Sequence, residues 1–291
     1  MEIRVLKYFL AIAREESISG AAEVLHLSQP TLSRQIKDME DELGKQLLIR
    51  GNRKVTLTEE GMILRKRAEE IIDLVNKVEN EITLSNETIS GDIYIGTGES
   101  DALRVIAKAA GNLTKDYPDI HFHITSGDTV DITENLDKGL FDFCIFWGHI
   151  DTSKYNYLSM PMKDSWGVLM RKDSLLADRD YITPEDLYDK PLIFSRHSLR
   201  EGALGTWFKT ETSKLNIVAE YNLVFNASLM VDEGMGYALC FDKIINVTGD
   251  SNLCFKPLKP KLEIGMNIIW KKYQIFSKAG EKFLEKLNEI L

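Results

Sequence analysis

The chain has 291 residues, room for about two ordinary domains. It carries 36 Lys+Arg against 45 Asp+Glu, a net charge of −9, with 28% charged and 44% hydrophobic residues. That balance excludes a disordered or collagen-like chain, and no apolar run approaches the ~18 residues a membrane helix needs.

The charged start from Met1 to Lys7 lacks the apolar core of a signal peptide. A cytoplasmic protein with no membrane partner is therefore expected. Cys144, Cys240 and Cys254 each sit among apolar residues and outside any CxxC pair, as expected of buried free thiols in a reducing compartment. Charge is graded along the chain: residues 1–57 balance at +1, whereas residues 58–91 carry −4. A nucleic-acid site, if present, belongs near the N-terminus, and it is small.

Ile3, Leu6, Leu10 and Ala13 recur at helical spacing beside Phe9, predicting a first helix. A second runs from about Ser19, as N-cap, through Ala21, Ala22 and Leu25. Ser28 then caps a third helix with Pro30 in its first turn, where the missing N–H costs nothing. This helix buries Leu32, Ile36, Met39 and Leu43, and Gly44 is available to end it. Its opposite face gathers Pro30, Ser33, Arg34 and Lys37, while Glu40, Asp41 and Glu42 come later. An N-terminal half that offers hydroxyl, amide and guanidinium groups suits entry into a major groove. The competing reading is an ordinary solvated helix face. Two β-prone runs, Leu47–Arg50 and Lys54–Leu57, flank the turn Gly51-Asn52-Arg53, a basic hairpin that sets Arg53 and Lys54 against phosphate or a minor groove.

The stretch Ile18–Gly61 (ISGAAEVLHLSQPTLSRQIKDMEDELGKQLLIRGNRKVTLTEEG) resembles the winged helix-turn-helix of LysR-type transcriptional regulators. The AAxxLxxSQPxLSRQIxxxExELGxxL run, Arg50 and the TLTxEG ending carry the resemblance. Leu48 stands where the family usually has Phe. The resemblance implies DNA contacts by Gln29, Pro30, Thr31, Ser33, Arg34 and Arg53; the face argument adds Lys37 and Lys54.

Thr58 caps a long helix that begins Glu59-Glu60. Leu64, Ala68, Ile71, Val75, Val78 and Ile82 form a heptad seam on it. Either the seam packs on its own domain, or it dimerises the chain; the resemblance implies the latter, and a homodimer or homotetramer.

Beyond Gly91, strands and helices alternate: Asp92–Gly98, a helix holding Leu103 to Leu113, Ile120–Ser126, Val130–Lys138, then Phe141–Trp147. This βαβαβ run predicts a parallel sheet. A second set follows: strands at Gly167–Met170, Leu192–Ser195, Ile217–Tyr221, Tyr237–Phe241, Leu253 and Ile264–Trp270, with helices near Leu199–Lys209 and Ser228–Glu233 and a last helix holding Phe283 and Leu287. The fold class expected is thus multidomain: an α-rich winged helix-turn-helix (1–57), a dimerising linker helix (58–88) and a two-lobed α/β domain similar to periplasmic binding proteins (89–291). Lobe I takes about 89–161 and 269–291, lobe II about 162–268.

Open α/β sheets bind ligands at the carboxyl ends of their strands. Those ends, with the resemblance, implicate Ser100, Thr129 or Asp128, Trp147, Ser195 and Arg196 in holding a small-molecule effector. Arg196 suits an anion. Glu99, Asp101 and Asp128 oppose one, and either cap the following helices or favour a cationic or zwitterionic effector. His121 and His123 share a strand face without a third metal ligand in spacing, and Gly96-x-Gly98 and Gly234-x-Gly236 read as turns. No cofactor, metal or catalytic motif is expected. The function expected is a sequence-specific, effector-controlled transcriptional regulator. The alternative is a solute-binding or enzymatic α/β protein whose N-terminal helices only mediate assembly.

Overall fold

A computed structural model of the chain describes residues 1–51, 54–83, 89–196, 198 and 203–291. The chain divides into two compact units, Met1–Leu84 and Ser85–Leu291.

The first unit opens with α1 (Ile3–Glu15), which buries Val5, Leu6, Phe9 and Ile12. The stripe is rotated from the expected one: Ile3 is 45% exposed, and Val5 and Ile12 take the inner positions. α2 (Ile18–Val24) starts two residues earlier than Ser19 suggests, because Ser17 Oγ accepts the Gly20 N–H at 3.1 Å. In α3 (Gln29–Leu43) the cap falls where the sequence places it: Ser28 Oγ accepts the Thr31 N–H at 3.3 Å, and Gly44 ends the helix at φ 63°. Leu32, Ile36 and Met39 meet Phe9, Ile12, Ala21 and Ala22 in one core, each large side chain contributing about 1.5–3 kcal/mol by burial. Leu43 lies outside that core.

β1 (Leu48–Arg50) and β2 (Val55–Leu57) pair antiparallel as the wing; Asn52 and Arg53 at its tip lie outside the described residues. α4 (Glu59–Thr83) is capped by Thr58, whose Oγ1 accepts the Gly61 N–H at 3.0 Å and donates to the Gln46 carbonyl at 2.7 Å. A Cβ on Gly61 would lie 2.2 Å from the Leu47 carbonyl oxygen, so this close approach of helix to wing admits only glycine. Leu64, Ala68 and Ile72 turn into the core of the unit, while Ile71, Leu74, Val78 and Ile82 stay exposed. The heptad row is therefore divided between the unit's own core and an exposed strip.

The second unit begins with β3 (Gly91–Thr97), α5 (Leu103–Asp116), β4 (Ile120–Ser126), α6 (Thr129–Asp137) and β5 (Phe143–Trp147). β3 pairs parallel with both β4 and β5, as the alternation requires. Then come β6 (Tyr155–Arg171), β7 (Leu192–Ser195), α7 (Ala203–Phe208), β8 (Ile217–Tyr221), α8 (Val224–Asp232), β9 (Tyr237–Phe241), β10 (Leu253–Pro257), β11 (Glu263–Lys271) and α9 (Lys278–Ile290). Leu199 and its neighbours, the expected start of the helix ending in α7, lie outside the described residues. The strand order is β4-β3-β5-β11-β6-β9-β7-β8, with β10 also on β6.

β6 joins the lobes. It pairs with β11 as far as Ser165, then with β9 from Trp166 and β10 from Gly167. The sequence reading finds only its last part, because Pro161 breaks the pattern, and the β6–β11 register shifts opposite Met160–Met162. Met266–Ile269 pair with Trp147–Cys144 of β5, so the chain is back in lobe I before position 269. Gly96 lies within β3 instead of a turn, where a Cβ would meet the Phe141 ring at 2.7 Å. Each lobe has two cores: in lobe I one lies around Ile93, Phe143 and Phe283 and one around Ile132, Leu136 and Cys144, and in lobe II one lies around Leu192, Phe194 and Phe208 and one around Ile193, Val224 and Cys240.

Candidate DNA interface and effector cleft

The first turns of α3 present Gln29, Pro30, Thr31, Arg34 and Lys37 to solvent, with Ser33 half-buried among them. The Arg34 side chain is 83% exposed, and the Asp38 carboxylate stands 3.9 Å away. Such a loose, solvated pair contributes little and leaves the guanidinium free to turn to another acceptor. Two of the acids at the far end of α3 are engaged elsewhere. Glu40 Oε1 accepts the Leu47 and Leu48 N–H groups at 2.7 and 3.1 Å, and Glu42 pairs with the Met1 amino group at 2.7 Å. The N-terminal half of α3 is thus polar and cationic, with the positive end of the helix dipole behind it.

Two basic residues of the wing are placed differently from each other. Lys54 Nζ lies 3.1 Å from Glu16 Oε2, an ion pair that ties the wing to the end of α1. Arg50, quoted in the motif but assigned no contact in the sequence, donates to Ser33 Oγ at 3.2 Å and so joins the α3 face. Its signal was positional: it closes the short strand that leads into a basic turn. Arg53 lies outside the described residues.

The second unit holds a cleft, partly open to solvent, at the carboxyl ends of the strands of both lobes. Asp128, Thr129 and Trp147 reach it from lobe I, and Ser195 and Arg196 from lobe II. Of the expected effector residues, only Ser100 is turned away. Its Oγ donates to the Asp164 carboxylate, 2.9 and 2.7 Å from the two oxygens, and accepts the Ala102 N–H at 3.0 Å. Asp164, on β6 at the crossing between lobes, also accepts the Trp147 Nε1–H at 2.8 Å. It is 5% exposed, and burial raises its pKa, an effect these two hydrogen bonds oppose.

The sequence reading missed most of the apolar wall: Trp166, Tyr221, Cys240 and Phe241. Phe241 packs between the two indoles, its centroid 4.4 Å from that of Trp166 and 6.3 Å from that of Trp147. Their type and place at strand ends were visible in the sequence; their convergence across two lobes was not. Asp128 caps α6 by accepting the Asp131 N–H at 2.9 Å, and Asp101 pairs with Arg104 at 2.5 Å. Glu99 does something else. Its carboxylate crosses from lobe I to accept the Val224 N–H at the start of α8, a helix whose own N-cap, Leu223, supplies no side-chain bond. Burial raises the Glu99 pKa, and the bond from Val224 lowers it.

His123 Nε2 lies 2.8 Å from Asp92, and the ring stacks on Tyr94 at 4.5 Å. Among the described residues, no three His, Cys, Asp or Glu side chains are grouped to hold a metal ion. No described helix is long and apolar enough to cross a membrane. His197 lies outside the described residues.

A winged helix-turn-helix followed by a two-lobed α/β unit with a cleft between its lobes defines a ligand-responsive DNA-binding protein. The profile of the bacterial regulatory helix-turn-helix protein, lysR family, matches residues 3–62, and that of the LysR substrate binding domain matches residues 86–291. OxyR of Escherichia coli (strain K12), a DNA-binding transcriptional dual regulator, is 31% identical over 212 residues, 72% of this chain and 69% of that protein. HcaR of the same organism, the Hca operon transcriptional activator, is 28% identical over 94% of this chain and 92% of its own length. The crystal structure of CbnR, a LysR family transcriptional regulator, superimposes with a TM-score of 0.77 over 100% of this chain and 99% of that one, at 17% identity. The chain belongs to the LysR family: it is a DNA-binding transcriptional regulator with a small-molecule effector site between two α/β lobes.

Proposed function

We propose that the chain reads operator DNA through Gln29, Pro30, Thr31, Ser33, Arg34 and Lys37 of α3, with Arg50 alongside and Arg53 and Lys54 on the wing. It acts as a regulator and not as an enzyme, in the cytoplasm, as a homodimer or homotetramer. The exposed strip Ile71, Leu74, Val78 and Ile82 on α4 supports assembly: a spacing of 3, 4 and 4 on an otherwise charged helix suits a partner helix. We assign residues 1–57 to DNA reading, 58–88 to pairing and 89–291 to sensing. Asp128, Thr129, Trp147, Ser195 and Arg196 contact the effector, while Ser100 acts through Asp164. Effector binding favours one arrangement of the lobes and so biases the paired reading heads.

The single observation that carries the DNA assignment is the acid-free, exposed N-terminal half of α3. The peroxide response of the relatives named as hydrogen peroxide-inducible genes activators is not carried over, since that chemistry needs an accessible thiolate. Cys144 and Cys240 are buried and Cys254 is partly covered, and burial raises the thiol pKa of all three.

Gel-shift titration of the full chain on the promoter beside its own gene tests the reading. Arg34→Ala is expected to weaken specific binding by roughly 1–3 kcal/mol per lost base contact. Wild-type affinity should also fall steeply with salt. An unchanged mutant, or salt-independent binding, removes the recognition-helix assignment.

A further inference from the structure

We propose that the effector of this cleft is a small amine: a protonated ammonium group on a compact apolar or aromatic body. The inference rests on reading the cleft as the effector site and adds the chemistry of its ligand.

An anionic ligand needs hydrogen-bond donors, and four of those at the lobe junction already serve the protein's own carboxylates. Glu99 takes the Val224 N–H at the start of α8. Asp128 takes the Asp131 N–H at the start of α6. Asp164 takes both the Ser100 hydroxyl and the Trp147 indole N–H. Each carboxylate has lone pairs to spare, since two oxygens offer about four acceptor sites. The cleft carries two carboxylates, Glu99 and Asp128, on its wall, beside the neutral polar groups of Thr129, Ser195 and Asn222. Among the described lining residues Arg196 is the opposing charge, and it is exposed to solvent, which screens it.

The remaining wall suits the same ligand. Trp147, Trp166 and Phe241 form a contiguous aromatic surface. Aromatic faces attract a cation within about 6 Å and bury an apolar body equally well. An ammonium on Glu99 offsets the cost of holding that carboxylate half-buried, and it competes with the Val224 N–H for the same group. Ligand binding is thereby linked to a bond that joins one lobe to the other.

Three probes that share one ring test this on the full chain: 2-phenylethylamine, phenylacetate and 2-phenylethanol, titrated by calorimetry at neutral pH. The amine is expected to bind at least tenfold more tightly than either of the others. Glu99→Gln keeps an acceptor for the Val224 N–H but loses the charge, so it should bring the amine to within about threefold of the alcohol. Asp128→Asn, which keeps the α6 cap, should reduce the preference in the same direction. Phenylacetate binding as tightly as the amine overturns the charge assignment and leaves the cleft as an effector site. So does an amine preference that survives Glu99→Gln. Binding by none of the three also overturns it. A metabolite pool that stabilises the wild type but not Phe241→Ala would then retain the effector site without this ligand class, and a pool that stabilises neither removes both.

Discussion

Arg50 and Ser33 meet across the wing and the third helix: the guanidinium Nη1 donates to the serine Oγ at 3.2 Å, bridging 17 positions of sequence. The contact is exposed, so it orients two polar groups more than it stabilises the fold. Arg50→Ala is expected to leave the melting temperature nearly unchanged and to weaken operator binding several-fold in gel shifts. Arg50→Lys should recover little, because an ammonium lacks the planar fork. Wild-type affinity in the alanine variant would remove Arg50 from the interface.

The outer strip of α4 gives a prediction about assembly. Ile71→Asp combined with Val78→Asp puts charge into the proposed seam while sparing Leu64, Ala68 and Ile72, which face the unit's own core. Sedimentation should show a smaller species with unchanged far-ultraviolet circular dichroism. An unaltered sedimentation coefficient would place the oligomer contact elsewhere.

Asp164 offers a pH test. Burial raises its folded-state pKa above the ordinary carboxylate value, so the folded protein holds this proton more tightly than the unfolded chain does. Its contribution to stability is full below the ordinary carboxylate pKa and is lost as pH rises through the raised one. Glu99 shifts in the same direction. Asp164→Asn should therefore flatten the fall in melting temperature with rising pH. Asp164→Ala should cost about 1–3 kcal/mol, because the Trp147 indole N–H and Ser100 hydroxyl lose their acceptor. Urea titration of both variants at acid and neutral pH reads the two effects.

Thiol accessibility is the fourth check. Cys144 and Cys240 are buried, and the Cys240 thiol is pushed up to about 12; Cys254 is only partly covered. An aromatic disulfide reagent at neutral pH should titrate no more than one thiol in the native chain, slowly, and three after denaturation. Rapid reaction of two or more would reopen a redox role.

Local chemistry was legible in the sequence; convergence was not. The Ser28 cap, the Pro30 turn and the Gly44 stop all depend on neighbours within a few residues, and each falls where expected. Gly61 shows the limit. Its place in the TLTxEG ending can be seen, but its reason, the Leu47 carbonyl 2.2 Å from a would-be Cβ, lies in the tertiary packing. Ser19 lost the cap to Ser17 because two serines within one turn compete for the same role. At the cleft, strand ends could be named individually. That Ser100 is satisfied by Asp164 across 64 residues, and Glu99 by a helix start 125 residues away, follows only from the folded path of β6 and its partners.

That path has one more consequence. The first unit is joined covalently to lobe I, which β3 opens; lobe II hangs on the chain only through β6 on the way out and the segment into β11 on the way back. News of an occupied cleft can travel along the backbone to the reading head only by passing through those two threads. A lesion that slackens the outgoing thread, such as a glycine pair in place of Lys163 and Ser165 of β6, should leave a protein that still senses and still grips DNA but connects the two more weakly.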